Sequence, residues 1–198
     1  MKLPIKELLF CLTFAVANLA HAVEVAGTKI DETVQTESNA TLKLNGVGIR
    51  YKIKIFKVYI AALYLPEPKN TTEAILGLPG PKKINLTMLR ELSSDTLGQA
   101  FMDGVKRNTD RSDRVKLTDQ FLKFGQLFST VPELKKGDLI SMEWVPGVGT
   151  DMFINGKKIG ETFQDVAFFN SILKIWLGEN PVDGMLKAEL LGGSKDHH

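Results

Sequence analysis

Cysteine is nearly absent from this chain of 198 residues, which has one, Cys11, and three histidines, His21, His197 and His198. The opening residues, "MKLPIKELLFCLTFAVANLAHA", place Lys2 and Lys6 before an apolar run over 8–19 and end on Ala20-His21-Ala22, with small residues at the positions a signal peptidase reads. Cleavage is therefore expected after Ala22, and it removes Cys11 and His21. The remaining chain then has no disulfide, no thiol nucleophile, no Cys/His zinc site and no histidine base away from its last two residues. His197 and His198, adjacent at the terminus, do not define a coordination geometry, so neither a metal nor any other cofactor is expected.

Long apolar runs are missing as well. The leader's run falls short of the roughly 20 residues that cross a bilayer, so no stable membrane insertion is expected once it is removed. Phe10 stands where a lipoprotein signal carries a small residue before its cysteine. An excess of charge is also lacking: the formal net charge is +2, and loss of Lys2, Lys6 and Glu7 leaves the chain nearly neutral. Nucleic acid is not an expected partner. The chain should be periplasmic or secreted, with a leader over 1–22, one domain over 23–193 and a disordered tail over 194–198, since one core can serve that length.

What is present begins with strands. A polar lead over 23–35 has strand potential, and "ATLKLNGVGIRYKIKIFKVYIAALYLP" supplies two strands rich in β-branched and aromatic residues. Apolar residues alternate at Ile49, Tyr51, Ile53 and Ile55, then change phase to Phe56, Val58 and Ile60. A one-residue change of phase requires a β-bulge or tight bend near Ile55–Phe56, and it puts Arg50 and Tyr59 on one face of the sheet.

A short helix at "TTEAILGL" and a strand over Lys82–Leu89 follow. Two helices come next, one capped at Ser94-Asp95 with an apolar line through Leu97, Phe101 and Val105, the other with Leu117, Phe121, Phe124 and Phe128. The charged "KRNTDRSDR" between them reads as a solvated connection. Asp103 and Arg107, at i,i+4, form a surface pair worth about 0.3–0.5 kcal/mol. Strands resume around an Asn155-Gly156 hairpin. A helix through Val166, Phe169, Ile172, Leu173 and Trp176 stops at Gly178, and a last one starts at Pro181. Strands, helices, strands, helices is the order of an α+β domain, an antiparallel sheet with helices on one face. Trp144 and the turn after it read as a strand end in the core, or else as a lid over a cleft.

"NGVGIR" leading to "ALYLP", together with "WLGENPV" at the end of the late helix, resembles the chalcone isomerase superfamily, in particular its bacterial exported chalcone isomerase-like members. The resemblance implies an open-faced β-sandwich, a large antiparallel sheet with a helical layer. It matches Arg50 to the arginine that steers the substrate oxyanion in the plant enzymes. The enzymes' other polar residues fall near Tyr59, Leu97, Gly104 and Ile175, where this chain is mostly apolar. An arginine and a tyrosine beside an apolar cleft are instead similar to the fatty-acid-binding branch. That branch implies a carboxylate held by Arg50 and Tyr59, with Phe101, Phe124, Phe128, Phe169 and Trp176 as walls.

Pattern alone would make Arg50 a solvated charge among Lys52, Lys54 and Lys57 and would make the phenylalanine stripes ordinary core; Tyr51 and Tyr64 rival Tyr59 as its partner. "NGVG" is followed by strand, not by a helix N-terminus, and so is a poor phosphate loop. The expectation is an exported binding protein for an apolar carboxylate such as a fatty acid. The alternative is an isomerase or intramolecular lyase acting on an enone or phenolic substrate, with Arg50 and Tyr59 as its catalytic groups.

Overall fold

The computed structural model describes residues 22–131 and 133–193. The expected leader, apart from Ala22, and the expected tail lie outside them. A hairpin of β1 (Ala22–Val25) and β2 (Thr28–Asp31) comes first. Seven strands then form one antiparallel sheet in chain order: β3 (Thr33–Gln35), β4 (Thr41–Lys52), β5 (Phe56–Leu65), β6 (Lys82–Met88), β7 (Leu139–Val145), β8 (Gly149–Ile154) and β9 (Lys157–Phe163). Helix α1 (Thr72–Leu76) separates β5 from β6. The group α2 (Ser94–Asn108), α3 (Arg111–Lys116) and α4 (Thr118–Thr130) separates β6 from β7, and α5 (Val166–Leu177) and α6 (Gly184–Leu190) follow the sheet. This is the expected α+β architecture.

Period-2 alternation sorts the sheet into two faces. Tyr59, Ala61, Leu63 and Leu65 of β5 and Ile84, Leu86 and Met88 of β6 join Phe101, Phe124, Phe169 and Trp176 in the core beneath the helices. The opposite face is not wholly open. There Ile60, Ala62 and Tyr64 pack with Leu42 and with Val25 and Ile30 of the β1–β2 hairpin. The lead over 23–35 therefore folds as strands and covers the second face beside β4 and β5.

The change of phase is a hairpin turn. Lys52 pairs with Phe56, and residues 53–55 form the connection. Irregularities in the register then leave Asn45 extra on β4 and Val58 extra on β5. The Asn45 bulge is used: its side-chain amide donates to the Leu190 carbonyl at 2.8 Å, and its oxygen accepts from the Lys69 N–H at 2.7 Å.

Three helical features differ from expectation. Ser93, not Ser94, caps α2, its hydroxyl accepting from the Thr96 N–H at 3.3 Å. The end of the charged connection, with Val115 and Lys116 after it, forms α3 (residues 111–116), a helix with no buried residue, which periodicity could not reveal. Pro181 lies outside α6; the helix starts three residues later, where the Asp183 carboxylate accepts from the Met185 and Leu186 N–H groups.

Candidate functional site

Alternate residues of β4 face the helices, with Gly46 opposite Leu63, Gly48 opposite Ala61 and Arg50 opposite Tyr59. The two glycines let α6 lie directly on the strand. A Cβ on Gly46 would stand 2.2 Å from the Glu189 carbonyl oxygen, and one on Gly48 would stand 1.8 Å from the Glu189 carboxylate. Arg50 is the next residue on this face, at the level of the helix N-cap, Asp183. Its Nη1 donates to the Tyr51 carbonyl oxygen and lies 3.5 Å from Asp183 Oδ2. The two side chains are 25% and 14% exposed, so the pair is only partly shielded from water.

Asp183 joins helix, strand and cation. Its Oδ1 accepts from Met185 N at 3.0 Å and Leu186 N at 3.3 Å, and its Oδ2 accepts from Tyr51 N at 3.3 Å. Arg50 is therefore not a freely solvated sheet charge; the protein gives it a carboxylate of its own.

Tyr59 is buried beside Arg50, and its hydroxyl accepts the Trp176 indole N–H at 3.0 Å. An indole nitrogen can only donate, so the phenol oxygen is the acceptor and the phenol proton remains to be donated elsewhere. Burial pushes the Tyr59 phenol up to about 12, against the opposing pull of the indole hydrogen bond and of Arg50. It is a neutral donor at physiological pH, not a base.

That shift implies a dependence of stability on pH. An unfolded tyrosine ionises near pH 10, below the folded value, so folding favours the protonated phenol. The contribution is intact below about pH 10 and is lost as pH climbs from about 10 to about 12. Tyr64, also raised by burial and by Asp31, acts in the same direction. Tyr59→Phe is expected to flatten the fall of Tm across this window while lowering its starting value, because Trp176 loses an acceptor. An unchanged slope would show that Tyr59 is not held neutral.

Arg50 and Tyr59 border a cavity of about 310 Å³. Leu97 and Phe101 of α2, Ile175 of α5, and Val58, Leu92 and Val182 give it apolar walls, while Lys52, Arg90, Arg107 and Asp103 stand around it, exposed. Four cations thus face one carboxylate among the lining side chains. Asp103 and Arg107 form no ion pair within 4 Å, so the expected surface couple is replaced by two separate charges at the cavity.

The expected walls divide. Phe101 lines the cavity; Phe124, Phe128, Phe169 and Trp176 do not. They are core behind it. Phe101 packs edge-on to Phe128 and Trp176, with ring centroids at 5.5 and 5.6 Å, and stacks on Phe124 at 6.2 Å. Trp176 still reaches the site through Tyr59. Of the rival tyrosines, Tyr64 is on the opposite face and donates to the Asp31 carbonyl at 3.1 Å, and Tyr51 does not line the cavity. Trp144 is half-buried among residues near Glu161 and Phe163, away from the cavity, so its turn is no lid for it.

The positions to which the resemblance assigns the enzymes' polar groups come together here. Tyr59, Leu97 and Ile175 line the cavity, and Gly104 lies against Ile175, where a Cβ would stand 2.8 Å from its Cγ2. Asp183 was not apparent in the sequence as a site residue. An aspartate one residue before "GMLKAEL" is an N-cap signal, yet nothing local ties it to Arg50. Among the described residues, no group of three or more His, Cys, Asp or Glu could hold a metal, and no helix is long and apolar enough to cross a membrane.

Comparison with known proteins bears on the family and the fold. A family model described as chalcone isomerase-like matches residues 22–192. Comparison with curated protein sequences found no match. Among solved structures the chain is similar to a fatty-acid binding protein of Arabidopsis thaliana, with a TM-score of 0.56 and 18% identity over 81% of this chain and 96% of that one. At that identity the likeness concerns the fold.

Proposed function

The chain belongs to the chalcone isomerase-like family, and from that premise we propose that it is an exported binding protein for an apolar carboxylate such as a fatty acid, held in the cavity between Arg50, Tyr59 and α2. The observation that carries this reading is the direct pairing of Arg50 with Tyr59 across β4 and β5 at the edge of an apolar cavity. The guanidinium supplies charge and the phenol supplies a proton that its bond from Trp176 leaves available. A carboxylate placed between them accepts two charge-assisted or neutral donors. Its tail rests on Leu97, Phe101, Ile175 and Val182. The Arabidopsis protein of similar fold is a fatty-acid binding protein, which is consistent with this use of the cavity.

A volume of about 310 Å³ is at the small end of ligand sites, which run from roughly 300 to 1,000 Å³. It suits the head group and a tail of modest length. Protein purified under native conditions should release a lipid-like acid on solvent extraction and should bind a fluorescent fatty acid once emptied. Failure of both measurements would end the proposal. Export predicts that the protein recovered from outside the cytoplasm begins at Val23, which N-terminal mass determination decides.

Arg50 has two claimants under this reading, the ligand and Asp183. Asp183→Asn keeps a good N-cap for α6 but removes the negative charge that competes at the guanidinium. Fatty-acid affinity is expected to rise about tenfold, corresponding to roughly 1.4 kcal/mol, with a modest fall in Tm because the amide NH2 cannot accept from the Tyr51 N–H as Oδ2 does. An unchanged Kd would mean that the ligand does not displace Asp183. Chalcone cyclisation is not expected above the buffer rate. Leu97 and Ile175 bring no polar group to the reacting centre, and Tyr59 is no base near neutral pH.

A further inference from the structure

The tip of the β4–β5 hairpin holds three large apolar side chains in water: Ile53 is 74% exposed, Ile55 70% and Phe56 50%. No other stretch of six described residues exposes so many. Lys52, Lys54 and Lys57, all exposed, are interspersed with them, and no acidic residue occurs between positions 44 and 66.

The backbone of the tip points the same way. Its turn is closed by the Ile55 N–H and the Lys52 carbonyl at 3.4 Å, and its central residues, Ile53 and Lys54, have φ of 54° and 61°. Left-handed backbone favours Gly, Asn or Asp, and a β-branched residue there is an outlier. The β8–β9 hairpin meets the same demand with Asn155-Gly156, at φ of 50° and 77°. Ile53 is therefore costly twice, in conformation and in hydration. Residues held against local preference cluster at functional sites.

We propose that this tip docks into the surface of an anionic lipid bilayer. Ile53, Ile55 and Phe56 would enter the boundary between headgroups and acyl chains, and the three lysines would reach the phosphates at headgroup level. A bilayer fits better than a protein partner because the tip is a convex turn in which apolar and cationic side chains are interspersed within six residues. A headgroup layer accepts both over that short distance. The base of the hairpin borders the cavity through Lys52 and Val58, and Arg90 and Arg107 add cations around it. Docking would bring the cavity to the membrane surface. The proposal stands whatever the cavity holds, so the vesicle test is independent of the fatty-acid test.

Flotation with vesicles measures it, using the full chain and variants that share the same leader, so that only the tip differs. The parent should float with mixed phosphatidylglycerol–phosphatidylcholine vesicles, less so with phosphatidylcholine alone and less at raised salt. Ile55→Ser with Phe56→Ser should reduce flotation about tenfold or more, with far-UV circular dichroism and melting unchanged. Ile53→Asn with Lys54→Gly should instead raise Tm by about 2–4 °C while weakening flotation severalfold. Equal flotation of parent and variants would overturn the proposal, as would no preference for anionic vesicles. A concentration-dependent dimer abolished by the serine variant, without vesicle binding, would assign the tip to a second copy instead.

Discussion

Arg50→Ala is expected to weaken binding of a fluorescent fatty acid by about 30- to 1,000-fold, with the folded structure retained. A hydrogen bond to a charged group contributes roughly 1.5–3 kcal/mol, and truncating one member of a shielded charge pair costs about 2–5 kcal/mol, so a loss of about 2–4 kcal/mol is consistent with both. Arg50→Lys should lie between parent and alanine, since an ammonium keeps the charge without the planar fork. The fold should tolerate the change. Asp183 keeps the N–H groups of Tyr51, Met185 and Leu186 when Arg50 is gone, and an ion pair at 3.5 Å that is partly exposed contributes about 0–1 kcal/mol. Arg50→Leu should therefore melt within a few degrees of the parent and still fail to bind. A parent-like Kd in either neutral variant would remove Arg50 from the site.

Gly46→Ala is expected to cost about 2–4 kcal/mol of stability, a fall in Tm of roughly 5–10 °C. The methyl would meet backbone on two sides, the Glu189 oxygen at 2.2 Å and the Leu190 oxygen at 2.7 Å, and neither can rotate away. Helix α6 must lift. Asp183 caps that helix, so lifting it also alters the carboxylate facing Arg50, and ligand affinity should change with stability. Gly184→Ala is the contrasting substitution in the same helix. Nothing lies within 4 Å of its Cβ, and alanine is the better helix former, so a neutral or slightly stabilising effect is expected. Thermal melts of the two variants side by side separate close approach from mere loss of a glycine. Similar effects in both would show that the β4–α6 contact is not what requires Gly46.

The juxtaposition of Arg50 and Tyr59 was legible in the sequence because it depends on a local rule. Side chains alternate along a strand, and the change of phase between Ile55 and Phe56 could only be a bend or a bulge. The chain uses both, a turn over residues 53–55 and an extra residue at Val58, yet the parity of the two side chains survives. The helical stripes were legible for the same reason. Periodicity marks Phe101, Phe124, Phe128, Phe169 and Trp176 as inward-facing, and all five are buried.

Which of those five borders a cavity was not legible. Whether space remains beside an inward-facing ring depends on how α2, β5 and the segment before α6 diverge, and that is a property of packed surfaces. Phe101 packs against Phe124, Phe128 and Trp176, and of the five only Phe101 lies against the void. The carboxylate facing Arg50 was hidden by distance along the chain: Asp183 lies 133 residues away and reaches it because Gly46 and Gly48 let α6 settle on β4. The covering of the second sheet face by β1 and β2 likewise needed the fold. By itself, then, the sequence determined what alternation, turn chemistry and composition control: an α+β chain, an arginine and a tyrosine on one sheet face, and little histidine or cysteine chemistry. Tertiary structure alone decided where a cavity remains and which charge already occupies its arginine, because both follow from the close approach of elements that no local period relates.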